Sequence, residues 1–144
     1  MQEVPAFSIF SAISEVFVTI AVLYSVISNM RGGKLRWPLL GAVITFELCV
    51  NVVYMAGRAS HADGDSTLST GMKLFFAGHG ILSLGMFLGL AILYILAVID
   101  VKSGRESWFQ RHPTGTWVFV FFWMVSVTTG EAIFFLRFGE ALFG

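Results

Sequence analysis

The chain alternates between long apolar runs and short polar breaks. Four runs stand out, at residues 7–30, 37–55, 74–101 and 117–138. Each is apolar at odd and even positions alike, whereas a transmembrane β-strand needs a short segment of alternating character. A helix rises about 1.5 Å per residue, so each run can cross about 30 Å of hydrocarbon. The pattern predicts an all-α protein: an integral membrane, four-helix antiparallel bundle forming one domain over residues 1–144. The first run is long for the apolar stretch of a signal peptide, and only Glu3 is charged before it. It reads as a retained span.

The breaks set the expected orientation. The first, Arg31-Gly32-Gly33-Lys34-Leu35-Arg36, has three cations and no acid, and the third carries Lys102, Arg105 and Arg111. The second, residues 57–73, is longer, rich in Ser, Thr, Asp and Gly, and offsets Arg58 and Lys73 with Asp63 and Asp65. The excess of Lys and Arg places breaks one and three on the cytoplasmic side and both termini on the outer, periplasmic side. Trp37, Trp108 and Trp117 fall near the same inner boundary, where amphipathic rings settle.

Composition agrees. The 144 residues are 56% hydrophobic and 12% charged, about half the charged share of a soluble domain, and the mean hydropathy is +0.80. A net charge of zero argues against nucleic acid as a partner. Cys49 is the single cysteine, which excludes an internal disulfide and any cysteine-rich metal site.

Candidate chemistry lies in the ionisable residues inside the spans: Glu15, Glu47, His79 and Glu131. From the helix rise, Glu15, His79 and Glu131 lie about 8–12 Å from the outer boundary and Glu47 near the midplane. Polar stripes extend each one: Ser8, Ser11 and Thr19 with Glu15; Asn51 with Glu47; Ser83 with His79; Met124 and Thr128 with Glu131. Such stripes turn toward the bundle interior, so the four are expected to converge. An ionised carboxylate near mid-membrane costs roughly 2.5–3.5 kcal/mol, and no Lys or Arg accompanies these at that depth. Compensation must come from protonation, from His79 as a cation, from a bound metal or from a partner subunit.

Each alternative has its own signature. Carboxylates with one imidazole suit iron, copper, zinc or manganese, with Asn51 and His61 as additional candidate ligands. The paired Glu-x-x-His motifs of di-iron bundles are missing. Protonated glutamates hydrogen-bonded to Asn, Ser and Thr across helices need no metal, and a proton path or a quinone pocket completes the set. Haem between two intramembrane histidines is disfavoured because only His79 is deep. His112, before Pro113, belongs among headgroups. Gly78, Gly85 and Gly89 give the third span the small-residue spacing that permits close helix packing. The phenylalanines of the fourth (Phe119, Phe121, Phe122, Phe134, Phe135) read as facing lipid or a partner.

The second half of the chain resembles a family. Phe76-Ala77-Gly78-His79-Gly80-Ile81-Leu82-Ser83-Leu84 is similar to its third helix, and Phe122-Trp123-Met124-Val125-Ser126-Val127-Thr128-Thr129-Gly130 to its closing signature, with Arg111 and His112 in the basic loop between. This is the domain of unknown function 420 family of four-helix bacterial membrane proteins, which includes a maturation factor for haem–copper oxidases. The resemblance implies a bacterial inner-membrane protein associated with respiratory oxidase assembly, with histidines that handle haem or metal and His61 available for one of their places.

The expected function is thus a non-enzymatic accessory or assembly protein of a respiratory complex, with a metal or proton-handling site at Glu15, Glu47, His79 and Glu131. The competing readings are a small structural subunit of an energy-converting complex and an intramembrane redox protein that binds metal, haem or quinone. Expected partners are the lipid bilayer, other respiratory subunits and a second copy of the chain.

Overall fold

The computed structural model describes residues 6–59 and 69–144. His61, together with Asp63 and Asp65 of the second break, lies outside them. Helix α1 spans Ala6–Met30, α2 Trp37–Ala59, α3 Thr70–Lys102, α4 Trp108–Arg111 and α5 Pro113–Phe143. The protein is an antiparallel four-helix bundle, and four of its helices (α1, α2, α3 and α5) are long and apolar enough to cross a membrane. Helix α1 packs on α2 and α5, and α3 packs on the same two, so the ring order is α1–α2–α3–α5. Lipid-length apolar faces stay on the outside: Phe17, Ile81, Leu84 and Phe121 are all more than three-fifths exposed. A soluble domain would bury such residues, whereas a bilayer solvates them.

Local sequence explains where each helix stops. Helix α1 ends in a Schellman turn: Gly32 has φ +98°, its N–H donates to Asn29 O at 3.0 Å, and Gly33 N–H donates to Ser28 O at 2.9 Å. Only glycine enters that left-handed region without a Cβ penalty. Ser69 caps α3 by accepting from Met72 N–H at 3.3 Å. Pro113 opens α5, where its missing N–H costs nothing.

One element escapes the hydrophobic pattern. The third break contains the single-turn helix α4, started by a capping box in which Ser107 Oγ accepts from Gln110 N–H while Gln110 Oε1 accepts from Ser107 N–H. Phe109 on this turn is fully buried beneath the bundle. Thr116 Oγ1 lies within hydrogen-bond distance of the carbonyls of Phe109 and His112, at 3.1 and 2.9 Å, and ties α5 to the turn. Ser107 also hydrogen-bonds through its hydroxyl to Asn29 Oδ1 on α1, and Asn29 Nδ2 donates to Gly33 O at 3.0 Å. Breaks one and three therefore meet at one end of the bundle.

A buried carboxylate locks that end. Asp100, 4% exposed, accepts from Arg111 Nη2 at 2.5 Å and pairs with Arg105 at 3.4 Å. Arg111 Nε also donates to Glu106 O at 3.3 Å. The fully buried apolar residues Val22, Val26, Leu40, Leu90 and Phe109 fill the same half of the bundle.

Two expectations need correction. Phe119 is buried, 7% exposed, and belongs to the core against Trp123 rather than to the lipid face. A Cβ added at Gly78, Gly85 or Gly89 would meet nothing within 4 Å. Sequence spacing predicts that small residues permit close packing; it does not say which neighbour uses them, and among the described residues none does.

Arg111→Ala should lower thermal stability in detergent by about 2 kcal/mol, because it strands a buried carboxylate, whereas Arg105→Ala, removing the more exposed and longer contact, should cost less than about 1 kcal/mol. Equal losses would refute the ranking. Ser25 is fully buried and its Oγ, among the described residues, has no hydrogen-bond partner; Ser25→Ala should raise stability by about 0.5–1 kcal/mol in the same melts, and a loss would mean that the hydroxyl is satisfied.

Candidate functional site

The four ionisable residues come from four different helices: Glu15 from α1, Glu47 from α2, His79 from α3 and Glu131 from α5. All four are partly buried. Glu15 is central, since it lines one cavity together with Glu47 and its Oε2 lies beside Gly130, the residue before Glu131. Ser8, Ser11 and Glu15 are partly buried and Thr19 is buried, so the polar stripe of α1 faces inward. The array lies in the half of the bundle away from Asp100, above the closely packed apolar core.

A small cavity separates some of these groups. Its volume is about 20 Å³, and Glu15, Glu47, Asn51, Ser83 and Ser126 supply its polar lining. A void needs roughly 10–15 Å³ to hold one water, so this one takes a water or an ion, not a quinone or a haem. Trp123 and Val18 also border it. Trp123 Nε1 donates to Thr19 Oγ1 at 3.4 Å, which ties α5 to α1 beside the cavity.

Hydrogen bonds orient two of the four side chains. Asn51 Nδ2 donates to Glu47 O at 2.8 Å and reaches Glu47 Oε2 at 3.5 Å. His79 Nδ1 lies 2.9 Å from Thr129 Oγ1. That hydroxyl is also 2.9 Å from the carbonyl oxygens of Val125 and Ser126. A hydroxyl has one proton to give. With Thr129 spending its proton on the helix backbone, its oxygen accepts from His79 Nδ1–H, and Nε2 is left as the free ring nitrogen.

Gly130 controls how close the groups come. A Cβ there would stand 3.0 Å from His79 Cε1, 3.3 Å from His79 Nε2 and 3.4 Å from Glu15 Oε2. The bare α-carbon thus lets an imidazole and a carboxylate press against α5 from two other helices. Glu131 follows directly. Its Oε1 is buried and, among the described residues, has no hydrogen-bond partner.

The polar stripe read along α5 needs correction. Met124 and Thr128 are exposed, and Thr128 Oγ1 donates to its own helix, at Met124 O. The inward positions are Trp123, Ser126, Thr129 and Gly130, centred about 170° around the helix from Met124 and Thr128. Thr129 and Gly130 enter the sequence argument only through the family resemblance. Their roles depend on a residue of α3, so spacing along α5 has no means of revealing them. On the same helix, Arg137 lies exposed beyond Glu131, its guanidinium 5.6 Å from the centroid of the Phe138 ring.

Among the described residues no group of three or more His, Cys, Asp and Glu side chains is placed to hold a metal ion. The donors nevertheless have suitable chemistry, an unpartnered carboxylate oxygen at Glu131 and a free imidazole nitrogen at His79. A metal here would have to draw a further carboxylate inward.

Nitrogen-15 NMR of the imidazole ring should show neutral His79 as the Nδ1–H tautomer, and Thr129→Val should move the population toward the Nε2–H form. A wild-type ring already protonated on Nε2 would mean that Thr129 donates to His79 instead.

Compared with protein-family models, with curated proteins and with solved structures, the chain matches none of them.

Proposed function

We propose that this multi-pass membrane protein is a non-enzymatic accessory protein of a membrane redox complex, in which Glu15, Glu47, His79 and Glu131 take up and hold protons. The observation that carries the reading is that Glu15 and Glu47 line a water-sized cavity, while His79 and Glu15 converge on Gly130, the residue before Glu131. Three ionised carboxylates would cost on the order of 8–10 kcal/mol by simple addition, comparable to the stability of a whole domain. Protons shared over the cluster remove most of that cost. His79 Nε2 can accept one, and a water in the cavity can pass one between the carboxyls of Glu15 and Glu47.

The packing gives the site a direction. Val22, Val26 and Leu90, all fully buried, close the bundle between the cluster and the basic end. A proton therefore enters and leaves from the side of the second break. The excess of Lys and Arg in breaks one and three supports a periplasmic opening and cytoplasmic basic loops. The setting, oxidase assembly in a bacterial inner membrane, is supported by the family-like stretches 76–84 and 122–130.

A metal centre is the second reading, favoured by the unpartnered Glu131 Oε1 and the free nitrogen of His79. Iron, copper and zinc are the candidates for this donor set. Elemental analysis of the purified protein separates the two readings: a stoichiometric metal lost in both Glu131→Gln and His79→Ala supports the metal.

Infrared spectroscopy of the reconstituted protein tests proton holding directly. The carboxylic-acid carbonyl band should be present near neutral pH and should shrink in Glu15→Gln, Glu47→Gln and Glu131→Gln. Glu131→Gln and His79→Ala should also impair oxidase assembly non-additively, since groups that share one site couple. Absence of the acid band, or strictly additive losses, would end the shared-proton reading.

A further inference from the structure

At the opposite end of the bundle, the outward face of α1 carries an open groove of about 490 Å³ lined by Leu23, Tyr24, Ile27, Ser28 and Arg31. It is apolar toward the middle of the bundle and cationic toward the first break. Beyond the turn at Gly32 and Gly33, Arg36 holds its guanidinium 5.1 Å from the centroid of the Tyr24 ring. Arg31 and Arg36 are exposed, and among the described residues neither has a carboxylate partner. Both ion pairs at this end go to Asp100 instead. The surroundings reinforce the charge, since residues 31–36 and 100–112 hold six Lys and Arg against Asp100 and Glu106.

We propose that this groove seats an anionic phospholipid, with the phosphate between Arg31 and Arg36 and the first part of an acyl chain along Leu23 and Ile27. Charge complementarity selects the headgroup. A planar guanidinium donates two parallel N–H bonds to phosphate oxygens, and Arg36 over the Tyr24 ring with Arg31 in the groove lining offers two such forks to one phosphodiester. Tyr24 lies at the depth where tyrosines meet headgroups, with Ser28 one turn nearer the break. The apolar wall supplies what inorganic phosphate has no use for, a surface for hydrocarbon. The site is remote from the Glu–His cluster and stands whatever that cluster does.

Native mass spectrometry of the full chain in mild detergent, titrated with phosphatidylglycerol or phosphatidylcholine, tests the assignment. Phosphatidylglycerol should be retained in preference. Arg31→Gln and Arg36→Gln should each weaken it about fivefold, and the double variant about thirtyfold, as expected for about one interfacial charge each. Lys34→Gln, in the same break but outside the groove, should leave it nearly unchanged. Arg31→Lys with Arg36→Lys keeps the charge without the fork and should fall in between. Equal retention of the two lipids would overturn the proposal. So would a loss in Lys34→Gln as large as in the double variant, which would mean a diffuse positive surface. Displacement of the lipid by inorganic phosphate at equal concentration would reduce the groove to an anion site and overturn it as well.

Discussion

Inside a bilayer no water is at hand to satisfy a polar group, so every donor, acceptor and charge must find its partner within the protein. The helices answer this for the backbone. For side chains the bundle gives two different answers at its two ends, and most of its architecture follows from that division.

At the basic end the answer is complete. Asp100 is buried but paired with Arg111 and Arg105. Asn29, Ser107 and Thr116 each find a partner across the turn that joins α3 to α5. Phe109 seals the space beneath them. A break that looks like a simple linker thus clasps α1, α3 and α5. Interaction energy is concentrated there, next to interfacial aromatics such as Trp37 beneath Lys102 and Trp108 stacked on His112.

At the other end the answer is partial. Glu47 has Asn51 and His79 has Thr129, but among the described residues Glu131 Oε1 has no partner and no ion pair joins a guanidinium or ammonium group to the three carboxyls. A half-satisfied polar network in a low-dielectric setting is costly, so its presence opposite a well-satisfied clasp argues for use rather than stability. The division is also economical in space. An apolar half fixes the helix ends at one side, and the polar half keeps Glu15 and Glu47 beside a cavity the size of one water.

Much of this was legible in the residues themselves. Run length and two-sided apolarity determined four helices, because a membrane admits few alternatives for such segments. The similar depths of Glu15, His79 and Glu131, with Glu47 nearer the midplane, required only the helix rise, and the stripe from Ser8 to Thr19 marked the inner face of α1. Other features were decided by tertiary structure, because they depend on neighbours distant in sequence. Thr129 becomes a partner only when α3 brings His79 beside it, and Gly130 matters only because an imidazole and a carboxylate arrive there together. Gly78, Gly85 and Gly89 have packing spacing but no close neighbour among the described residues, and Phe119 joins the core against Trp123 once α5 packs on the bundle. Asp100 carries no signal of its own in the sequence, because its partner Arg111 is folded back over it by a four-residue helix too short for any hydrophobic period to announce. Periodicity along one helix fixes which residues share a face; which face meets which partner is set only when the helices pack.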